Sequence, residues 1–441
     1  MSVDELRTTF TGSILVDGDD GFASFPFAVG APGAVLRPHT EADVAAALRH
    51  AVANHLSVSI RSGGHTAGSY TSVPNGLVLD MSAFNDIVVS STTVTVGAGA
   101  TWGAVAAALA PHHLALTSGD TTSVGVGGLT LGGGVGWLIR KYGLALDNLL
   151  SARIVTAAGE LVVASEVENP DLFWAIRGGG GNFGVVTEFT FQAQPLEGVV
   201  HGVVTFVADD LGGLLRGYRE VMRAAPEEFN VTFLQLPPMQ PGMPSSRALQ
   251  VLWAGTDVEA AMSHIQPLLD LPGVQSHDIA LKAYVDVLDD PHPPEPGAPM
   301  PSMVLNNGWA PELSDGAIDA LVAAEASIGD PMVMIRYLRG AFNRVAVTDT
   351  AFAWRDAEAL VILVAFLPPG TADESEIVQS SWQSVARFTE GTYGNFHMDA
   401  GERVVALMYP PETHARLASV KKTWDPTNLF NQNQNVAPAP V

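Results

Sequence analysis

The 441-residue chain contains no cysteine. Disulfides, thiolate metal sites, iron–sulfur clusters and a catalytic or cofactor-linked cysteine are therefore excluded. Cations are scarce as well: 22 Lys and Arg stand against 46 Asp and Glu, a net charge of −24. A surface of that sign repels phosphate backbones and anionic lipid, so neither nucleic acid nor membrane is expected as a partner. No apolar run reaches the roughly 18 residues of a membrane span. The opening Met1-Ser-Val-Asp-Glu-Leu6 is acidic and lacks the apolar core and cleavage site of a secretory leader. A soluble, cytoplasmic protein is the expectation. Hydrophobic residues make up 47% of the chain, which excludes a disordered one. At about 100–200 residues per domain, the length predicts two or three domains.

Local patterns place the first elements. Thr40 caps a helical spacing that starts at Glu41 and runs through Val52, with an acidic first turn. Leu56–Ile60 alternates as a strand, and Leu77–Asp80 and Thr93–Val96 read as two more. Trp102–Leu109 is an alanine-rich helix. Leu150–Ser165 is a hairpin turned at Ala158-Gly159, and Pro170–Ile176 is a helix followed by a strand over Val185–Gln192. Residues 1–30 form an arm that packs on this first domain. After Pro195 the glycine clusters give way to amphipathic helices alternating with strands, and proline gathers at 236–244 and 290–301. The second stretch is too proline-rich for a helix or central strand and is expected as a long surface loop. The expected domains are 1–197, 198–397 and a C-terminal segment, 398–441, that returns to the first.

Gly179-Gly-Gly-Asn-Phe-Gly184 matches G-x-G-x-x-G, but a helix precedes it and a strand follows. A dinucleotide fingerprint needs the reverse order, so the match fails. His112-His113 has no third partner that would make it a metal site, and no metal is expected. Two glycine loops are more informative. Arg61-Ser-Gly-Gly-His-Thr-Ala-Gly-Ser69 leaves a strand, and Gly119 to Gly136 is dominated by glycine. Glycine lets backbone N–H groups approach an anion closely, so two such loops suit a diphosphate without needing lysine. His65 stands among small residues at the tip of the first loop.

Ile60-Arg-Ser-Gly-Gly-His-Thr66 resembles the flavin-attachment loop of the vanillyl-alcohol-oxidase/para-cresol-methylhydroxylase (PCMH) superfamily. The likeness is greatest to its berberine-bridge-enzyme-like oxidases, and among them to bacterial hydroxynicotine-oxidase-like members. Leu129–Leu138, Lys141–Leu144, Asp147–Leu150, Asn169–Glu188 and Lys421–Pro438 resemble later blocks of the same family. The resemblance implies an α+β fold: a two-part PCMH-type FAD-binding domain and a substrate domain whose antiparallel sheet is backed by helices. It implies FAD joined covalently to His65 through the flavin 8α-methyl. Thr121 stands where many relatives carry a second, cysteinyl link, so the flavin is expected to be held by His65 only. The implied cradle comprises Arg61, Ser62, Gly63, Gly64, Thr66 and Ser69, then Ser118, Gly119, Thr121, Gly127, Gly128, Gly132 and Gly134. Val186 is expected on the adenine side, with Asn433 and Asn435 returning to the ring. Val124 matches a position where valine leaves room for dioxygen.

The substrate side departs from the resemblance. In Thr350-Ala-Phe-Ala-Trp-Arg355, Ala353 and Trp354 replace proline and histidine, and in Tyr393-Gly-Asn-Phe396 the second aromatic position cannot take a proton. Asp349, Tyr393, Tyr337 and His397 are left as candidate bases or orienting groups, with Phe352, Trp354 and Phe396 as pocket-lining aromatics. The implied activity is an oxidase passing hydride from a small CH–NH or CH–OH substrate to flavin, with dioxygen reduced to hydrogen peroxide. An aromatic or cyclic amine ranks first and an oligosaccharide last. A flavin dehydrogenase with another acceptor and a non-catalytic flavin- or ligand-binding protein are the alternatives. A monomer or homodimer is expected.

Overall fold

The computed structural model describes residues 3–22, 31–66, 73–207, 210–238, 245–289, 302–367 and 372–440. Ser69, and residues 239–244 and 290–301 of the proline-rich stretches, lie outside the described residues.

The first layer is a four-stranded sheet in the order Ser13–Leu15, Ala34–Arg37, Leu77–Asp80, Val58–Arg61, with the last three parallel. Helix Glu41–Ala53 covers it. Its start is fixed by a capping box in which Thr40 accepts from the Asp43 amide and the Asp43 carboxylate accepts from that of Thr40. Val3, Leu6, Phe10 and Ile14 bury the N-terminal arm in the same core. Five antiparallel strands form the second sheet, in the order Ile87–Ser90, Thr93–Gly97, Val185–Gln192, Leu149–Val155, Leu161–Ser165. The hairpin turn comes at Gly159, whose φ of +76° suits glycine. Helix Pro170–Ile176 stands before the Gly178–Gly184 run and strand Val185–Gln192 after it, so the non-Rossmann order holds.

The third sheet has seven strands, every neighbouring pair antiparallel. Its order is Val274–Lys282, Val199–Phe206, Ser246–Trp253, Phe229–Leu236, Met332–Tyr337, Ala359–Leu367, Ser302–Ala310. Helices Leu211–Ala224, Val258–Leu269, Asp315–Ile328 and Ala372–Ala386 supply side chains to one core on one face of this sheet. The opposite face shares a core with Val135, Ile139, Leu144 and Leu146, which follow the second glycine loop. Helix Pro411–Trp424 then brings the chain back. Lys421 and Asp425, both fully buried, pair at 2.8 Å, and Lys421 also donates to the carbonyls of Asn182 and Phe430. The Asn182 side chain accepts from Val436 N and donates to Gln434 O, which anchors the returning segment.

Candidate active site

Strand Val58–Arg61 delivers Ser62 to Thr66 against the second glycine loop. Ser62 Oγ donates to Ala98 O at 2.7 Å and accepts from Gly127 N at 3.3 Å. A Cβ on Gly63 would lie 2.2 Å from Gly125 N, and one on Gly125 would lie 2.2 Å from Gly63 N. The loops therefore touch backbone to backbone, and no side chain fits between them. Gly64 has a φ of +72°, and beyond it the exposed His65 ring places Nε2 2.9 Å from Ser123 Oγ. Partial desolvation lowers the imidazole pKa below its ordinary 6.5, and the Arg61 charge adds to the shift against a rise from the Ser123 contact. Arg61 itself lies 3.8 Å from Asp80. Further along, Ser118 is buried, with Oγ donating to Gly119 O and lying 3.2 Å from Tyr284 Oη. The backbone of Asp120 to Thr122 bonds to Asp289 on both sides of Thr121.

Several of these residues suit a flavin nucleotide on grounds internal to the protein. Gly128 sits in helix Val126–Gly132, where alanine is better by about 1 kcal/mol, yet a Cβ added there meets no atom within 4 Å. Among the described residues nothing requires that glycine, so the bare helix surface leaves room for a ligand. Asn433 and Asn435 each keep a buried Oδ1 without a partner among the described residues, while Asn433 Nδ2 donates to Gly181 O. Gly132 and Gly134 have a different reason to be small. A Cβ on Gly132 would strike the Asn395 side chain, and Gly134 N donates to Tyr393 Oη at 2.9 Å. Val186 is buried in the core of the second sheet. Thr66 is exposed, and Val124 is half-buried on the same core, its carbonyl accepting from Trp102 N.

The candidate bases are not brought together. Tyr337 lies on the helix side of the large sheet, buried, donating to Glu358 Oε1 at 3.1 Å. Burial pushes its pKa up to about 12. Expected as a base or orienting group, it instead faces the helices, because strand parity turns it away from the loops. Asp349 is likewise displaced, to a separate cleft of about 280 Å³ lined with Asp147, Glu166, Arg177 and Val345. Tyr393 Oη accepts from Gly134 N and Asn395 Nδ2, which ties it to the second loop; burial raises its pKa against the opposing pull of these two donors. His397 Nδ1 accepts from Asp399 N at 3.1 Å, and burial lowers its pKa. Phe352 and Tyr393 belong to a buried aromatic cluster with Trp309 and Phe342, ring centroids 5.3–6.4 Å apart. Trp354 and Phe396 are only half-buried, and Trp354 Nε1 donates to Met408 O.

Residues 32–165 match the FAD binding domain family, and residues 392–437 match the berberine and berberine-like family. (R)-6-hydroxynicotine oxidase of Paenarthrobacter nicotinovorans is 31% identical over 432 residues, covering 92% of this chain and 91% of that one. The chain belongs to the berberine-bridge-enzyme-like, FAD-linked oxidoreductases. The berberine-bridge-like chain shares its fold with solved 6-hydroxy-D-nicotine oxidase from Arthrobacter nicotinovorans, at 28% identity and a TM-score of 0.87 over 100% of both chains. Glucooligosaccharide oxidase from Acremonium strictum, with a 6-S-cysteinyl, 8α-N1-histidyl FAD, has the same fold at 23% identity, a TM-score of 0.86 and 99% coverage of both. This family membership makes the chain an FAD-dependent enzyme and sets aside the non-catalytic alternative.

Sequence reasoning missed two features of this berberine-bridge-like enzyme. Arg336, on the interior strand Met332–Tyr337, forms an ion pair with Asp120 of the second glycine loop. Asn307 forms four hydrogen bonds with residues 392–396, holding Tyr393 and Phe396 against the sheet. Neither carries a motif. The isolated charge in an otherwise apolar strand was the only available signal for Arg336.

Proposed function

We propose that the chain is an oxidase carrying FAD covalently on His65 alone, with residues 198–397 supplying the substrate side. Bound FAD supplies a two-electron acceptor: the substrate loses hydride and a proton from a CH–NH or CH–OH group, and dioxygen takes up two electrons and two protons as hydrogen peroxide. The observation that carries this reading is the His65–Ser123 contact at the meeting of the two loops. If Nε2–H donates to Ser123 Oγ, the Nδ1 lone pair is left free as the nucleophile. The lowered pKa keeps the ring neutral at pH 7, as nucleophilic addition requires. No side chain at position 121 competes for a second link, since Thr121 has no thiol.

With Phe396 unable to take a proton at the second aromatic position, substrate oxidation on this reading rests on orientation rather than on a strong base. A neutral amine meets that condition, because its nitrogen lone pair assists hydride loss without prior deprotonation. Amines therefore rank above alcohols, and both above sugars. Acid-precipitated protein should remain yellow, and His65→Ala should release the colour into the supernatant. A colourless pellet from the unmodified protein would sink the covalent assignment. Anaerobic reduction followed by air distinguishes oxidase from dehydrogenase: fast reoxidation with peroxide supports the oxidase, and persistent bleaching the dehydrogenase.

A further inference from the structure

The register of the large sheet determines which side chains face the glycine loops. Thr232, Arg336, Leu360 and Trp309 are successive cross-strand partners, and Arg336 reaches Asp120, so this row is where sheet and loop meet. Two residues further along each strand stand Leu234, Met334, Ile362 and Asn307. The next row is Met332, Val364 and Leu305, and the last is Phe366 and Met303.

The Asn307 amide on these rows is occupied, and Thr232 Oγ1, Arg336 Nε and Trp309 Nε1 are closed to solvent with no partner among the described residues. Asn307 Oδ1 accepts from Tyr393 N and Thr392 Oγ1, and its Nδ2 donates to the carbonyls of Phe396 and Tyr393. Thr232 and Arg336 are buried where the loop crosses. Beyond that line the face is aliphatic and methionine, ending in the exposed ring of Phe366. Leu234, Met303, Leu305, Met332 and Met334 are half-buried and retain open surface, although their neighbours Leu360 and Ile362 are closed.

We propose that this ledge is the specificity surface, and that the substrate is a small molecule with an extended alkyl or alicyclic body bearing the oxidisable amine or alcohol at one end. The proposal rests on the oxidase reading above and deepens it. A sugar laid on the ledge would lose water from each hydroxyl against Leu234, Met303, Leu305, Met332 and Met334, side chains with no N–H or O–H to offer, whereas each methylene placed there tightens binding about fourfold. Unbranched, adaptable methionines let the ledge accept bodies of different outline. Of the aromatic side chains expected to line the pocket, Phe352 belongs to the buried core while Trp354 and Phe396 are half-buried, so apolar selection comes mainly from these open rows.

The test uses flavin-loaded enzyme under anaerobic conditions. The probes are 4-alkylbenzylamines and 4-alkylbenzyl alcohols from methyl to hexyl, with xylobiose and cellobiose as polar probes. Dissociation constants are read from the perturbed flavin spectrum, and reduction rates from bleaching. The expected result is a Kd falling about fourfold per methylene over the first carbons at a nearly constant limiting rate. Replacing Met332 and Met334 together by Gln should flatten that slope while flavin content and melting temperature hold. The chain-length series on the unmodified enzyme is decisive even if the variant misfolds. A Kd independent of chain length, an unchanged slope in a folded variant, or tighter binding of the disaccharides overturns the proposal. If the slope appears but no probe bleaches the flavin, the ledge stands and the oxidase reading fails.

Discussion

Arg355 and Asp147 form a buried two-pronged ion pair, with Nη1 and Nη2 at 2.9 and 2.7 Å from the two carboxylate oxygens. The guanidinium also lies 5.0 Å from the Phe352 ring centroid and bonds to Thr350 Oγ1. It thereby pins residues 350–355 to the block that follows the second glycine loop. Arg355→Met should cost about 3–5 kcal/mol by leaving Asp147 buried and unpaired, and lysine should not restore the fork. Urea unfolding measures the loss. Turnover per bound flavin should change little, because the pair touches no reacting group.

Gly125→Ala tests whether the loops must touch. Its Cβ would sit 2.2 Å from Gly63 N and 2.3 Å from Ser62 Oγ, which forces the two loops apart. The expected outcome is protein that folds but carries little flavin, measured as the ratio of visible to ultraviolet absorbance. Gly128→Ala should leave folding unharmed or slightly improved and still weaken flavin binding, because its Cβ has open space in the chain itself.

Val124→Leu adds one methylene beside the second loop, where Val124 is only half-buried. Reoxidation of reduced enzyme by air should slow at least about tenfold, a barrier change of about 1.4 kcal/mol, while anaerobic reduction is unchanged. Stopped-flow mixing with oxygenated buffer reads both. Equal reoxidation rates in the two proteins would rule out a gating role for this position.

Tyr337→Phe removes a hydrogen bond to Glu358 on the helix side of the sheet. It should cost about 1 kcal/mol of stability and leave kcat unchanged. A hundredfold loss of kcat would mean that the tyrosine reaches the substrate after all.

His201 gives the fold a defined pH response. Burial, followed by the nearby Lys282 charge, lowers its pKa from 6.5 to about 4. Between those values the unfolded chain binds a proton that the folded chain refuses. Stability should therefore fall as pH drops from 6.5 towards 4, by up to about 3 kcal/mol, and this contribution should be flat outside that window. His201→Gln should remove this component from a series of denaturation curves.

Short-range features were legible because neighbouring residues create them. The Thr40 cap and the helix after it, helix Trp102–Leu109, helix Pro170–Ile176 and strand Val185–Gln192 appear at the residues their patterns indicate. So does the inverted order around Gly179–Gly184. Helix Val126–Gly132 was not legible: three of its seven residues are glycine, and propensity argues against a helix that packing nevertheless holds.

Residue order is enough to give the two glycine loops, the lack of any thiol, and the motifs that place the chain in its family. Tertiary structure alone decided which side chains face the loops. Met332-Val-Met-Ile-Arg-Tyr337 and Ala359–Leu367 are apolar on both faces because each face covers a core, so alternation carries no sign of direction. Parity sent Tyr337 to the helices and Met334 to the ledge. The Arg336–Asp120 and Arg355–Asp147 pairs span 216 and 208 residues of chain. Charges that far apart acquire partners only when strand register and loop docking bring them within reach.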